Sequence, residues 1–217
     1  MSPSHPVLDL ISQGEHEQLD FKFEISDAHK IARTLAAFAN TRGGKLLIGV
    51  KDNGAIAGVR SDEEYYMLDA AANLYCNPSV PFHVRQWNLA GKTVVEARIP
   101  PSALKPHFAE DPVGKWAAYI RVHDRNLPAN RILLKIWQLE KKNTGIFLKY
   151  TEKERALLSY LEKHPSITIT RLIKLTGMHR YQAEQSLIRL ISLKILEIHF
   201  TGNQVQYRLV AESENRR

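Results

Sequence analysis

Acidic side chains concentrate in one stretch of this 217-residue chain, residues 15–58. Four acids, among them Glu15 and Asp20, fall within its first ten residues, and Asp52 follows an apolar run further on. Carboxylate oxygens are the ligands that Mg²⁺ prefers, and acids at the two ends of a compact unit can meet in space. The stretch therefore raises the hypothesis of a divalent-metal site. The alternative is a set of surface acids in which Asp52 only forms a turn.

The elements that must position these acids follow from the periodicity of apolar residues. Residues 17–23 alternate between apolar and polar side chains, which predicts a half-buried strand with Asp20 on its polar face. An apolar stripe over residues 28–41 predicts a helix, and the Gly43-Gly44 pair ends it.

The chain then enters a run over residues 45–51 that is almost wholly apolar and predicts a central strand. Asp52-Asn53-Gly54 after it indicates a hairpin turn. The other elements predicted in this part are helices over residues 7–14, 61–76 and 129–142 and strands over residues 82–88, 92–99 and 116–122, with residues 101–115 as a loop and residues 124–128 as a turn.

The last third of the chain has a different pattern. Thr151 and Glu154 predict a capping box at the start of a helix, and two further helices follow over residues 166–175 and 179–196. A hairpin over residues 197–209 completes the pattern of a winged helix-turn-helix.

The third of these helices opens with polar and basic side chains, which are the types that contact bases and phosphates in the major groove. The competing interpretation is a winged helix used for dimerisation or protein contact. The candidate nucleic-acid-binding residues in this part are Arg171, Lys174, His179, Arg180, Tyr181, Gln182, Gln185 and Arg189.

Composition narrows the class of protein. The formal net charge is +7, and residues 149–217 hold 12 Lys/Arg against 7 Asp/Glu. An excess of positive charge favours contact with a polyanion but carries no specificity. The single cysteine, Cys76, excludes an internal disulfide and a cysteine-rich zinc site. With no apolar run of roughly 18 residues and no signal-peptide pattern, we expect a cytoplasmic protein with no membrane partner.

Several short motifs in the first two thirds of the chain resemble those of the Schlafen-type AlbA_2 domain family, and the resemblance covers roughly residues 8–140. The matching motifs are Glu15-x4-Asp20-Phe21-Lys22, Ala37-Phe38-Ala39-Asn40-Thr41-x-Gly43-Gly44, Leu47-Ile48-Gly49-Val50-x-Asp52, Gly54-x-Ile56-x-Gly58, Lys105-Pro106-His107, and Tyr119-Ile120-Arg121-Val122 followed by Asp124.

The resemblance implies a fold and two kinds of site. The fold is α/β, a mixed sheet flanked by helices. Some members of the family are RNA nucleases that bind a divalent metal, Mg²⁺ or Mn²⁺, through three acids, and these fall on Glu15, Asp20 and Asp52. Asp20 departs from the family pattern, which has Glu there. The residues that would surround such a site and hold phosphates are Lys22, Lys51, Lys105, His107 and Arg121.

These observations predict an AlbA_2-like domain over residues 1–143, a linker over 144–150, a winged helix-turn-helix over 151–210 and a polar tail over 211–217. The leading expectation is a nucleic-acid-binding protein, DNA more than RNA, that regulates transcription, as a monomer or homodimer. The alternatives are a metal-dependent nuclease acting on RNA or DNA and a protein-interaction module. An ATPase or helicase is not expected, because the chain lacks a G-x4-G-K-[ST] phosphate loop.

Overall fold

The computed structural model describes residues 5–59, 61, 63–142, 150–202 and 204–211. The helices are α1 (Pro6–Ser12), α2 (Ala28–Asn40), α3 (Glu63–Asn73), α4 (Arg131–Lys142), α5 (Glu152–Leu161), α6 (Ile169–Thr176) and α7 (Arg180–Ser192). The strands are β1 (Leu19–Lys22), β2 (Gly44–Ile48), β3 (Cys76–Asn77), β4 (His83–Leu89), β5 (Lys92–Ile99), β6 (Phe108–Glu110), β7 (Trp116–Val122), β8 (Arg125–Pro128), β9 (Leu196–Thr201) and β10 (Gln204–Leu209).

The first part of the chain contains two four-stranded sheets. The first sheet has the order β1-β2-β5-β4, with β1 parallel to β2 and the other pairs antiparallel. This confirms both the mixed α/β class and the internal position of β2. The second sheet has the order β3-β6-β7-β8 and is antiparallel.

Three strands of the second sheet were not predicted. The expected loop over residues 101–115 contains β6, and the expected turn over 124–128 contains β8. Strands of two to four residues are too short to show an alternating pattern. All three contact helix α2, β6 and β8 pair with β7, and β3 pairs with β6.

Helix α2 is the centre of the first part. Ala32, Leu35, Ala36, Phe38 and Ala39 have no exposed surface. They share one core with the inner face of the first sheet and with α3, β6 and β7. The alanines let both sheets approach the helix closely, which explains why an Ala-rich helix is buried on nearly all sides.

The glycine pair after α2 is required by this packing. A Cβ on Gly43 would lie 2.6 Å from the carbonyl oxygen of Ile99, and one on Gly44 would lie 2.4 Å from the Phe38 ring. Gly43 also has φ +72°, which disfavours other residues. The pair is therefore a turn between helix and strand, as predicted.

The chain divides into two compact units between Ala129 and Asn130. This differs from the predicted boundary at 143 and the linker over 144–150, most of which lies outside the described residues. The apolar stripe of α4 explains the difference, because Ile132 and Ile136 belong to the same core as Leu157 and Leu187 of the second unit. Helix α4 is thus part of the second unit.

The second unit contains α4, the three helices α5, α6 and α7, and the β9–β10 hairpin. The sequence pattern predicted the three helices and the hairpin here, whereas it placed α4 in the first domain. The Thr151–Glu154 capping box is present at the start of α5. Glu154 is 3% exposed and also accepts a hydrogen bond from Ser186 Oγ at 2.8 Å. Burial alone would raise the pKa of Glu154, but the hydrogen bonds from Thr151 and Ser186 outweigh it and leave the pKa below its ordinary value.

Candidate functional site

Glu15 and Asp20 lie together at the free edge of β1. The Glu15 carboxylate accepts a hydrogen bond from Phe21 N–H at 2.8 Å, so its side chain satisfies a strand donor that no neighbouring strand reaches. Lys22 Nζ lies 2.7 Å from Asp20 Oδ2, an ion pair without hydrogen-bond geometry. Lys22 Nζ also donates to the Phe21 carbonyl at 2.7 Å. Both acids therefore act in holding this edge of the sheet.

The alternating pattern had predicted that Asp20 lies on a solvated polar face, but the structure places it elsewhere. It is 4% exposed and faces Arg121 of β7, whose Nη2 donates to Asp20 Oδ1 at 2.8 Å. The alternation itself is present, because Leu19 and Phe21 pack in a separate core on the other face of the first sheet. Helix α2 packs on the face that carries Asp20, and the Arg121 side chain of β7 reaches Asp20 there.

Arg121 is the hub of a buried polar network that joins the two sheets. Its side chain is 1% exposed, lies over the Phe38 ring and donates from Nη1 to Asn126 Oδ1 at 3.0 Å. Asn126 in turn donates to Thr34 Oγ1 of α2 at 2.9 Å. The network ties β1, β7, β8 and α2 to one another, and its centre is an ion pair out of contact with water.

Asp52 lies apart from this pair. It is exposed in the turn after β2, where Gly54 N–H donates to the Lys51 carbonyl at 2.8 Å. It makes no side-chain hydrogen bond or ion pair within the described part of the chain. Over the same residues, no group of three or more His, Cys, Asp or Glu side chains is placed to hold a metal ion.

The three acids, as the structure places them, do not fit a divalent metal. Such an ion needs several free carboxylate oxygens that converge on it at short distances. Asp20 already has Arg121 on one oxygen and Lys22 on the other, and Glu15 binds a backbone N–H. The carboxylates of Glu15 and Asp20 therefore already have partners within the protein, and Asp52 is not beside them.

Burial raises the pKa of Glu15 above its ordinary value, and the nearby Asp20 carboxylate adds to the rise, while the Phe21 N–H and Lys22 oppose it. A carboxyl group whose folded-state pKa is raised stabilises the protein when protonated, and this contribution is lost as the pH rises through that pKa. Ionised Glu15 is thus an electrostatic cost to folding at neutral pH, although its hydrogen bond to Phe21 is a gain.

We therefore expect Glu15→Gln to leave the free energy of unfolding equal or higher at neutral pH, because Gln keeps an acceptor for Phe21 N–H without the charge. Glu15→Ala should be less stable than Glu15→Gln by about 1–3 kcal/mol, since it leaves that N–H without a partner. Urea unfolding of the two variants at neutral pH checks the difference. Equal stability of the two variants would contradict the role of Glu15 as the acceptor for Phe21 N–H.

The basic residues predicted to surround the acids take different places. Arg121 is buried in the network, and His107 has no exposed surface and contacts the Pro78 carbonyl and Ser102 Oγ at 2.8 and 2.7 Å. A fully enclosed side chain presents no donor to a phosphate, which corrects both expectations. Lys105 donates to the carbonyl of Thr41 at 3.2 Å, where it neutralises the end of α2.

Lys22 and Lys51 remain closer to solvent. The Lys22 side chain is 35% exposed and holds the Asp20 and Phe21 contacts described above. Lys51 is exposed, and its ammonium lies 5.6 Å from the centre of the Phe23 ring. Lys22 and Arg121 meet at the Asp20 carboxylate, so both cations are already paired within the protein.

Asn40 and Thr41 have a role that sequence reasoning missed. Asn40 is 3% exposed, donates to the carbonyls of His107 and Tyr119 and accepts from His107 N–H, all at 2.8–2.9 Å. Thr41 Oγ1 accepts from Arg121 N–H at 2.9 Å. Through these hydrogen bonds, the two residues hold the end of α2 against the second sheet. A polar pair at the end of an otherwise apolar helix was the available signal.

In the second unit, the start of α7 presents the predicted polar residues beside the start of α5. A groove of about 710 Å³, called here the α7 groove, is lined on one side by α7 residues at helical spacing. Tyr181 is 65% exposed, Gln182 is exposed, and Gln185 and Arg189 are half-buried. The residues that line the groove are Thr151, Glu152, Lys153, Glu154, Met178, Tyr181, Gln182, Gln185 and Arg189.

The remaining predicted residues lie on or beside the same helices. His179 precedes α7 and is exposed, and Arg180 forms an ion pair with the buried Glu184 at 3.1 Å while its side chain stays 73% exposed. Arg171 and Lys174 are exposed on α6, with the Arg171 guanidinium 5.7 Å from the centre of the Tyr160 ring. The structure therefore brings Tyr181, Gln182, Gln185 and Arg189 into one groove and leaves the others outside it.

The fold and the motifs define an α/β domain followed by a small helical unit, and comparison with known proteins identifies the first of these. A family model described as Schlafen, AlbA_2 matches residues 15–130, more than half of the chain. The protein belongs to the Schlafen AlbA_2 family. Membership suggests nucleic acid as the kind of partner. Over the described residues, no helix is long and apolar enough to cross a membrane.

Two solved structures are similar to this chain. The DIP2311 protein from Corynebacterium diphtheriae matches at 20% identity and a TM-score of 0.43, over 81% of this chain and 32% of that protein, so this chain spans about a third of it. The N-terminal domain of a RecG-related protein from Nitrosomonas europaea matches at 21% identity and a TM-score of 0.39, over 57% of this chain and 91% of that domain. No curated protein matches.

Proposed function

We propose that this protein is a cytoplasmic nucleic-acid-binding protein that contacts duplex DNA through α7 and regulates transcription. The observation that carries the proposal is the exposed α7 face, where Tyr181, Gln182, Gln185 and Arg189 lie along one groove. Amide groups on such a helix contact base edges, and guanidinium groups contact base edges or phosphates. The arrangement of three helices and a hairpin supports a winged helix-turn-helix for the second unit.

The distribution of charge supports the same proposal. Residues 149–217 carry 12 Lys/Arg against 7 Asp/Glu. Arg171 and Lys174 add exposed positive charge on α6, the helix that precedes α7. Phosphate contacts supply most of the sequence-independent affinity for DNA. The basic second unit thus has the electrostatics that duplex binding requires, and the AlbA_2 membership of the first unit is consistent with it.

A metal-dependent nuclease is the second candidate, and one observation favours it. The carboxylates of Glu15 and Asp20 lie close enough for Asp20 to raise the pKa of Glu15. Cleavage would require Asp20 to leave Arg121 and Lys22, because these occupy both of its oxygens. The ion pairs make binding without cleavage the stronger proposal.

The test is incubation of the full chain with duplex DNA, single-stranded DNA and tRNA, with and without Mn²⁺. We expect the duplex to be bound and every substrate to remain intact. Electrophoresis on denaturing gels measures cleavage, and gel filtration of the complex measures how many chains bind each duplex. Cleavage that depends on Mn²⁺ and disappears in Asp52→Ala would establish the nuclease instead. Failure to bind any of the three would leave a protein-interaction module.

A further inference from the structure

The outer face of the first sheet carries basic side chains in register across three strands. Lys45 of β2 lies opposite Arg98 of β5, and Arg98 lies opposite His83 of β4. Because alternate side chains on a strand share a face, this row is on the same face as Leu47 and Trp87. Helix α1 packs on the apolar part of that face, whereas Arg98 and His83 stay exposed.

Two hollows of about 530 and 520 Å³ open along this row, and both are lined by Lys45, His83 and Arg98. Arg42 extends the lining of the first, and Arg85 that of the second. We call these five residues the basic groove. None of them was among the nucleic-acid-binding residues predicted from the sequence, because they come from separate segments of the chain.

Positive charge in the basic groove is poorly neutralised by the protein. Glu96 is the acid that lines it, but Glu96 is 7% exposed and already accepts a hydrogen bond from the Trp87 indole N–H at 2.8 Å. Lys45 Nζ lies 3.3 Å from Glu96, and Arg42 lies 3.7 Å from Glu17 with its side chain 75% exposed. Arg98 forms no ion pair with any described residue.

Like charges directly opposite each other on neighbouring strands destabilise a sheet. Lys45 and Arg98 are such a pair, and since Glu96 pairs with Lys45 alone, an anion bound across both cations would lower the remaining repulsion. The two hollows together are longer than one small anion needs, since the groove crosses three strands at roughly 4.8 Å spacing and continues to Arg42 and Arg85. A chain of phosphates fits this extent better than a single phosphate.

The tryptophan ring in the groove is closed to base stacking. Trp87 is 9% exposed, and the Arg85 guanidinium covers its ring at 3.9 Å from the ring centre. Base stacking on proteins needs an open aromatic face. The stacked Arg85 is instead held in place with its donors available, which suits contact with a phosphate oxygen.

We propose that the basic groove binds the sugar–phosphate backbone of a nucleic acid without reading its sequence. The inference rests on the proposed function and adds a second contact surface, in the AlbA_2 unit, to the α7 groove. Contacts at the basic groove would add affinity that does not depend on sequence.

The test compares the full-length protein with the double variant Arg42→Ala/Arg98→Ala. Both side chains are exposed and neither supports the buried Glu96, so the fold should be kept. Each lost phosphate contact lowers the slope of log K against log salt by about 0.9. We expect fluorescence anisotropy with a labelled duplex to give a slope smaller by about 2, with the same loss for duplexes of different sequence.

The matched control is Lys115→Ala/Arg125→Ala, which removes two exposed cations of the same unit, one from the β6–β7 turn and one from β8. It should leave the slope unchanged. If the groove variant and the control bind as wild type does, the basic groove is not a contact surface, while the proposed function stands. If wild type binds no duplex or single strand, the proposed function itself fails.

A parallel measurement with vesicles of anionic lipid separates nucleic acid from a membrane surface as the partner. Wild-type binding to the vesicles that is lost in Arg42→Ala/Arg98→Ala, without any effect on duplex binding, would overturn the inference. A smaller salt slope for duplex binding by the same variant, with no vesicle binding, supports the inference.

Discussion

Replacing Arg121 with alanine is expected to destabilise the first unit by about 3–5 kcal/mol, the largest effect of any single substitution proposed for this protein. The guanidinium is 1% exposed and pairs with Asp20, which is also buried. Its removal leaves a carboxylate out of water with only Lys22 as a counter-ion, and it leaves Asn126 without a donor. Lys22 should keep the loss towards the lower end of the range.

Hydrogen exchange measures this loss within the first unit, because it reports separately on amides of β1, β7 and α7. Protection should fall in β1 and β7 and stay unchanged in α7. The matched control is Arg125→Ala, an exposed cation on β8, with an expected change within about 0.5 kcal/mol. A double-mutant cycle with Asp20→Asn should show coupling between the two positions. The network would be refuted if Arg121→Ala cost no more than the control.

Substitutions in the α7 groove should weaken duplex binding without affecting the fold. Tyr181, Gln185 and Arg189 contribute to the groove while Leu187 and Leu190 on the other side of the helix form the core. Each specific contact with a base edge is worth about 1–3 kcal/mol. Gln185→Ala and Arg189→Ala should therefore each lower the affinity by roughly 5- to 150-fold, and Arg189→Ala should also reduce the salt slope by about 1.

Two further substitutions make this test specific. Lys135→Ala on α4 removes an exposed positive charge outside the groove and should leave the affinity unchanged. Glu152 at the start of α5 is 89% exposed in the groove, so Glu152→Gln should raise the affinity by removing repulsion of phosphates. An α7 variant that binds as well as Lys135→Ala, measured by anisotropy with a labelled duplex, would contradict the α7 interface.

Local signals in the sequence were enough to predict most of the elements. The apolar stripe of α2 and the Gly43-Gly44 stop placed the central helix, and in the structure Asp27 caps its start by accepting from the N–H groups of His29 and Lys30. The Thr151–Glu154 box likewise placed α5. Such signals lie within a few residues of one another, so they do not depend on the rest of the fold.

The sequence could not show what would pack on the polar face of β1. Asp20 and Arg121 are 101 residues apart, and nothing near either one indicates that they pair. An isolated strand pattern places Asp20 in water, whereas in the fold helix α2 packs on that face and Arg121 of β7 pairs with Asp20. His107 and Arg121 were expected at the surface for the same reason.

The basic groove could not be predicted from the sequence either. In the sequence, Lys45, His83 and Arg98 each resemble an ordinary surface charge, and only the strand register brings them into one row. A site built from side chains that meet across strands is invisible until the pairing of those strands is known. The α7 residues, in contrast, share one helix, and their common face followed from helical spacing.

The central claim is that this protein binds nucleic acid electrostatically and leaves it intact, and one titration tests it most directly. The full chain is titrated into a labelled duplex at salt concentrations between about 50 and 200 mM in the presence of Mn²⁺, and the duplex is recovered afterwards. The prediction is a steep linear fall of log K with log salt and an uncut duplex. Binding that does not change with salt, or a duplex cut in the presence of Mn²⁺, would contradict the claim.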